Sequence, residues 1–526
     1  MSRESTVHLF AALESGSRSP AIHFEGHVLS WAELDERARS YAQALQQAGV
    51  ARGDRVAVIA ETCLEVVIAL FGNYYLGAVH VPINTRYLAG EIAHILADAS
   101  PSAVIGDSDH AARIDEALEL AELDAPPVRV GIGEGTPGFR FAELLEATPG
   151  DYLRPRDEDL ALIIYTSGTT GPSKGATLTH AAVIANTRAL TGLWACSPRD
   201  RLLLALPLFH VHGLCVGLHG AVIQQMTILL ERRFTPDLVV ERFGPGEANA
   251  ASVFFGVPTM YAALVERLAG DFDACGRLAR GRLFACGSAP LSAALWDRFV
   301  ELTDQRILER YGMTETLITL SNPYVGVRRP GSVGQPVPGC DAAIVDDEGH
   351  ELASGETGEL IVHSNGIMRG YWHDPRSSGL SFVIDREGER WFRTGDVGYE
   401  DEHGYFHIVG RMSVDIVKSG GFKIATRELE EALASHPAVR EVAVVGLPDE
   451  TWGEAIVACV VPSEAAPSDP DTLLAELIAH HQARLADYKK PRALLVCEQL
   501  PRNALGKLQK HLLLERLRSE GPSARR

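Results

Sequence analysis

Residues 165–175 read YTSGTTGPSKG, and this stretch decides how the rest of the chain is read. It packs three glycines, five serine and threonine hydroxyls and a lysine behind the apolar run 160–165. Glycine lets backbone N–H groups approach a polyanion closely, the hydroxyls add neutral donors, and Lys174 adds a charge. The pattern predicts a buried strand that delivers a loop for holding phosphates. It is not a Walker P-loop, because Lys174 is followed by Gly175 and not by Ser or Thr, and no second motif supplies a magnesium carboxylate nearby. A plain Gly/Ser/Thr-rich surface loop is the alternative reading.

Outward from this loop, helical and strand patterns alternate. Ser30 and Glu33 read as a capping box opening a helix that ends near Gly49. Residues 55–60 read as a buried strand, 63–76 as a helix stopped by Gly77, 79–83 as a strand, 91–99 as a helix and 103–106 as a strand. A second round of strands falls at 201–206, 226–230, 251–255 and 282–286, so two α/β sheets are expected. From about Gly339 the strands shorten between glycine and acidic turns, as in a small β subdomain. Beyond Arg411, a helix at 427–436, strands at 439–446 and 455–461 and a helix at 473–485 suggest a compact α+β unit.

Composition narrows the class. The chain has 526 residues, 46% of them hydrophobic and 22% charged, which fits a large globular enzyme of several lobes. A formal charge of −20 argues against nucleic-acid partners and a basic membrane patch, so an anionic ligand needs local cations. Eight scattered cysteines without a CxxC pair predict neither disulfides nor structural zinc and suit a reducing, cytoplasmic setting. No 18-residue apolar run or signal-peptide core is present, so no integral membrane association is expected.

Further motifs fall at the joins of this layout, where open α/β folds place ligands. ALPLFHVHGL sets His210 and His212 two residues apart; in an extended segment they would share a face as metal ligands do, or sit as core histidines. FACGSAPL ends a strand in small residues that admit a flat ring, and ERYGMTET offers Tyr311 for stacking and Glu315 as a magnesium carboxylate. RTGDVG puts Asp396 in a glycine-flanked turn able to accept from a ribose diol, with Arg411 following. PRNALGKLQK carries Lys507 in a polar loop. Each string alone is also explained by a turn, and Lys507 by a solvated surface lysine.

Taken in order, YTSGTTGPSKG, YGMTET, RTGDVG, the GR pair at Gly410, KSGGFKI and PRNALGK resemble the acyl-adenylate-forming superfamily of acyl-CoA synthetases, peptide-synthetase adenylation domains and firefly luciferase. The resemblance covers nearly the whole chain. It implies an α/β fold: an N-terminal domain (1–411) of two α/β sheet subdomains plus a small β subdomain, then a small mobile α+β C-terminal domain (412–526). It also implies ATP, Mg2+ and coenzyme A as ligands and a monomer or homodimer. Thr166, Ser167, Gly168, Thr169, Thr170, Gly171 and Lys174 would hold the β and γ phosphates, with Thr166 and Glu315 near magnesium. Gly287, Ser288, Ala289, Pro290, Tyr311, Gly312, Met313 and Thr314 would surround adenine, and Asp396 with Arg411 the ribose. Lys507 would reach the acyl carboxylate and α-phosphate. Lys418, Ser419, Gly420, Gly421 and Lys423 would meet the pantetheine arm after a domain rotation, with His210 admitting the thiol. The usual charged hinge residue is here Ser413.

LPLFHVHGL, ERYGMTETLITLSNPY and RRPGSVGQPVPG look most like malonyl-CoA synthetases. A second carboxylate needs a cation, and Arg298 is the expected partner, with His210, His212, Thr259 and Met313 lining the acyl pocket. Ligation of another short, medium-chain or aromatic acid, or loading of a carrier protein, are the other readings.

Overall fold

The computed structural model describes residues 5–152, 154–166, 173–244, 250–412, 415–419, 422–449, 452–482, 485, 489–502 and 508–519. By contacts the chain divides into two compact units, residues 1–342 with 362–392, and residues 343–361 with 393–526.

The first unit contains the two expected sheets. In the eight-stranded one the spatial order is Gly370–Tyr371, Lys174–Thr179, Leu160–Thr166, Val79–Pro82, Arg55–Ile59, Ala103–Asp107, Val128–Ile132 and Phe139–Arg140. The strand Leu160–Thr166 pairs parallel with Val79–Pro82 and antiparallel with Lys174–Thr179, so the phosphate-loop sequence is held at both ends by a hairpin with Thr166 opposite Lys174. In the nine-stranded sheet the order is Gln335–Pro336, Leu317–Ser321, Leu308–Met313, Leu283–Cys286, Val253–Gly256, Arg201–Leu204, Thr227–Leu230, Pro20–Phe24 and His27–Ser30. Its central strands are parallel and bury both faces, which is why they read as continuous apolar runs.

Helix boundaries follow local chemistry. Ser30 accepts from Glu33 N while Glu33 reaches back to Ser30 N, the reciprocal cap expected for helix Trp31–Gln47, an arrangement worth about 1 kcal/mol. Helix Leu64–Leu76 ends at Gly77, whose φ of +73° suits glycine. That helix buries eleven of its residues, from Val66 to Leu76, so it belongs wholly to the core.

One segment departs from expectation. His212 does not lie in an extended stretch; it opens a π-helix, His212–His219, every residue of which is buried. Tyr74 Oη meets His219 Nε2 at 3.0 Å, and His219 Nδ1 donates to Leu214 O at 2.8 Å, closing the wide turn on itself.

In the second unit, Gly453–Pro462 lies between Ile416–Ser419 and Val439–Asp449, with Phe422–Ala425 beyond the former and Ala493–Val496 parallel to it. Two apolar clusters form, one around Val417, Leu429, Val444 and Leu477, the other around Val445, Val457, Leu495 and Leu513. This is the compact α+β unit foreseen in the sequence.

Candidate active site

In the first unit the end of the Leu160–Thr166 hairpin meets a corner made by Gly370–Tyr371 and the short helix Pro375–Leu380. Thr166 Oγ1 donates to Lys174 O at 3.4 Å. Lys174 Nζ donates to Ser377 Oγ at 2.6 Å, stands 3.7 Å from the Asp374 carboxylate and lies 5.5 Å above the Tyr371 ring. Tyr371 Oη in turn donates to Glu315 Oε1 at 3.0 Å. The buried Glu315 thus shares a tyrosine with Lys174. Ser167, Gly168, Thr169, Thr170 and Gly171 lie outside the described residues.

A second cluster lies where strands Leu283–Cys286 and Leu308–Met313 run side by side. Ser288, which follows Gly287, holds φ at +72°, a conformation costing about 1 kcal/mol or more that marks Gly287–Pro290 as a shaped turn. Ser288 Oγ stands 3.3 Å from His212 Nδ1, and His212 Nε2 is buried with no hydrogen-bond partner among the described residues. A Cβ on Gly287 would come within 2.6 Å of the Arg310 guanidinium, so a larger residue there would require that side chain to shift. Arg310 is 3% exposed, and its Nε and Nη2 have no hydrogen-bond partner among the described residues. Burial pushes its pKa down to about 10, which still leaves it charged at neutral pH. Burial, with the Arg310 charge adding to it, holds His212 far below the usual histidine range, and burial alone takes His210 down to about 4. Both imidazoles are therefore neutral at pH 7.

Tyr311, Gly312 and Met313 end the strand beside Arg310, with a bulge at Tyr311/Gly312, and Thr314 follows them half-exposed. Thr259 is exposed in the first turn of helix Pro258–Leu268. Arg298 does not take the expected pocket position: its side chain is 50% exposed on helix Ala293–Thr303 and pairs with Glu301 at 2.7 Å. Arg310 was the residue missed in the sequence, although a charged side chain inside LERYGM, on a strand otherwise buried at 308–310, was the available signal.

Within the second unit, Asp396 sits in strand Arg390–Glu400, not in the turn expected, directly opposite Arg411. Arg411 Nε meets Asp396 Oδ1 at 2.8 Å, and Arg411 N donates to Asp415 Oδ2 at 2.9 Å. Lys418 faces Lys423 across a hairpin, and Ser419 is buried beside it. Ser413, Gly420, Gly421 and Lys507 lie outside the described residues.

A family model described as AMP-binding enzyme matches residues 9–372, and one described as AMP-binding enzyme C-terminal domain matches residues 428–507. The chain belongs to the AMP-binding enzyme family. A malonate–CoA ligase of Arabidopsis thaliana is 35% identical over 90% of this chain and 79% of its own length. An indoleacetate–CoA ligase of Aromatoleum aromaticum is 34% identical over 95% of each. Among solved structures, ATP-bound MatB of Rhodopseudomonas palustris has a TM-score of 0.86 at 34% identity, covering 97% of this chain and 98% of that one. This AMP-binding enzyme is an acyl-CoA synthetase, an AMP-forming acid–CoA ligase using ATP and CoA.

The donor set of the AMP-binding enzyme suits a magnesium ion. Among the described residues no group of three or more His, Cys, Asp or Glu could hold a metal ion unaided. Magnesium, however, is commonly held by one or two carboxylates with substrate phosphates and water, and Glu315 with the Thr166 hydroxyl are hard oxygen donors of that kind. No helix among the described residues is long and apolar enough to cross a membrane.

Proposed function

We propose that this acyl-CoA synthetase activates a short dicarboxylate, malonate or methylmalonate, and that Arg310 binds the carboxylate that does not react. The observation that carries this reading is a guanidinium 3% exposed, beside Gly287, with two nitrogens lacking hydrogen-bond partners among the described residues. A buried unpaired cation is costly, and a carboxylate satisfies it bidentately. Neutral His212, with its own unpartnered nitrogen, and Ser288 supply further polar contacts. Arg298, exposed and already paired, is the weaker choice.

In the first step the substrate's reacting carboxylate oxygen attacks the α-phosphorus of ATP and the bond to pyrophosphate breaks. Thr166, the residues 167–171 and Lys174 hold the β and γ phosphates and take up the charge that develops there. Glu315 and Thr166 would hold a magnesium ion, which when bound would supply Lewis acidity toward the phosphate oxygens. Gly287 to Pro290 and Tyr311 to Thr314 hold adenine, Asp396 and Arg411 hold the ribose, and Lys507 meets the α-phosphate. In the second step a CoA thiolate attacks the acyl carbonyl and AMP leaves. Lys418, Ser419, Gly420, Gly421 and Lys423 line the path of the thiol after the 412–526 domain turns about residues near Ser413. His210, neutral at pH 7, would move or pack to admit the thiol.

The eight cysteines are all free, which favours a cytoplasmic enzyme. A panel of malonate, methylmalonate, acetate, butyrate, octanoate, benzoate and indoleacetate, with ATP, magnesium and CoA, tests the substrate by mass spectrometry. Malonyl-CoA with equimolar AMP is expected. A thioester formed only from monocarboxylates would keep the chemistry and end the role of Arg310. The indoleacetate–CoA ligase relative makes an aromatic acid the competing outcome.

A further inference from the structure

The phosphate lysine of the first unit is already engaged. Lys174 Nζ donates to Ser377 Oγ at 2.6 Å and lies 3.7 Å from Asp374, with the Tyr371 ring 5.5 Å beneath it. All three partners come from one short stretch. Asp374 Oδ1 accepts from Ser377 N at 2.9 Å, so the residue that faces the lysine also caps helix Pro375–Leu380. Tyr371, antiparallel to Ala176 on the lysine's own strand, donates to Glu315 at 3.0 Å. The ring beneath the lysine and the hydroxyl on the carboxylate therefore belong to one side chain.

We propose that Asp374 and Ser377 are positioning residues that occupy Lys174 as a stand-in for the ATP phosphates and must be displaced when ATP binds. The inference rests on Lys174 being a phosphate ligand. A carboxylate and a hydroxyl are the same kinds of acceptor as a phosphate oxygen, so the lysine exchanges one set for another without being desolvated. The exchange holds the ammonium in register with strand Lys174–Thr179 before ATP arrives. It also scales apparent ATP affinity down to the fraction of molecules in which the lysine is free. An anionic protein with a single loop lysine gains selectivity this way: a monoanion does not outcompete Asp374, whereas a triphosphate does.

The test uses the full chain, without acid substrate, and titrates α,β-methylene-ATP with magnesium by calorimetry. Asp374→Asn keeps a capping side chain and Ser377→Ala keeps the backbone donor, so helix Pro375–Leu380 survives either change. Each is expected to tighten nucleotide binding by about threefold, as removal of a half-exposed pair or hydrogen bond would. In turnover the KM for ATP should fall while kcat stays. In a Lys174→Met background the same substitutions should change nothing. Tightening that persists without the lysine would overturn the proposal, since the substitutions would then act through general charge. So would unaltered binding in both single variants while Lys174→Met binds more weakly; that outcome would leave the phosphate role of Lys174 intact. Unaltered binding in Lys174→Met would overturn that role and the inference with it.

Discussion

Two corners of the first unit hold buried or half-buried charge in opposite ways. Around Lys174 and Glu315 the charged groups have protein partners, from Ser377, Asp374 and Tyr371. Around Arg310 the guanidinium nitrogens Nε and Nη2 and the His212 Nε2 are buried without any among the described residues. A charge with partners can be re-partnered at little cost, so the first corner suits a ligand that enters and leaves with every turnover. A charge without them is stored strain that only a matching anion relieves, which is how a site discriminates between acids.

The largest break in this comparison would come from Arg310→Met. Its kcat/KM for malonate should fall about 10³-fold, the scale of removing one partner of a buried charge pair. Its melting temperature should hold or rise because an uncompensated charge is gone. A calorimetric scan beside the kinetics reads both; activity and stability falling together would mark Arg310 as structural. Glu315→Gln should slow pyrophosphate release about 10²-fold, the lost charge weakening support for the metal. Stopped pyrophosphate assays at several magnesium concentrations, with the KM for the acid unmoved, would keep the two corners distinct.

A smaller effect concerns pH. His80 and His180 are held at about 3, and His210 and His219 at about 4, each chiefly by burial. The unfolded chain, with histidines near 6.5, binds protons that the folded chain refuses, so stability is complete above pH 6.5 and is lost as pH falls toward 4 and below. His180→Phe, which keeps an aromatic ring against Tyr74, should flatten the fall in melting temperature between pH 6.5 and 4 by a few degrees. An unaltered slope would show that the burial does not reach the unfolding equilibrium. Smallest of all, Arg298→Ala should leave malonate turnover within about twofold, as an exposed helical pair contributes little. A loss of malonate use there would move the second-carboxylate site out of the buried corner.

Much of the fold was legible because its signals are local. The Ser30–Glu33 cap, the Gly77 stop and the apolar strands of the first unit stand within one or two residues of their expected limits. The π-helix was not, since HGLCVGLH is apolar on every side and presents no period to count. Asp396 was placed in a turn because its glycine neighbours signal one, yet pairing with the strand Phe406–Arg411 overrides them. The polar corner was half legible: Lys174 and Glu315 stood out, whereas Tyr371 lies 56 residues from the carboxylate it holds and nothing local announces the contact. Arg310 was passed over although it directly precedes Tyr311, because a charge in a strand announces its meaning only once its burial is known.

The π-helix carries a consequence for how such a pocket could be retuned. Residues 212–219 hold an ordinary helical segment's worth of chain in a wider turn, with His212 at its entry and His219 tied to Tyr74 near its exit. Removing one residue between them would let the segment relax to an α-helix and swing His212 by about 100° around the axis. With His212 lining the acyl pocket as proposed, chain length in this segment, as much as side-chain identity, would be a dial on which acid is accepted.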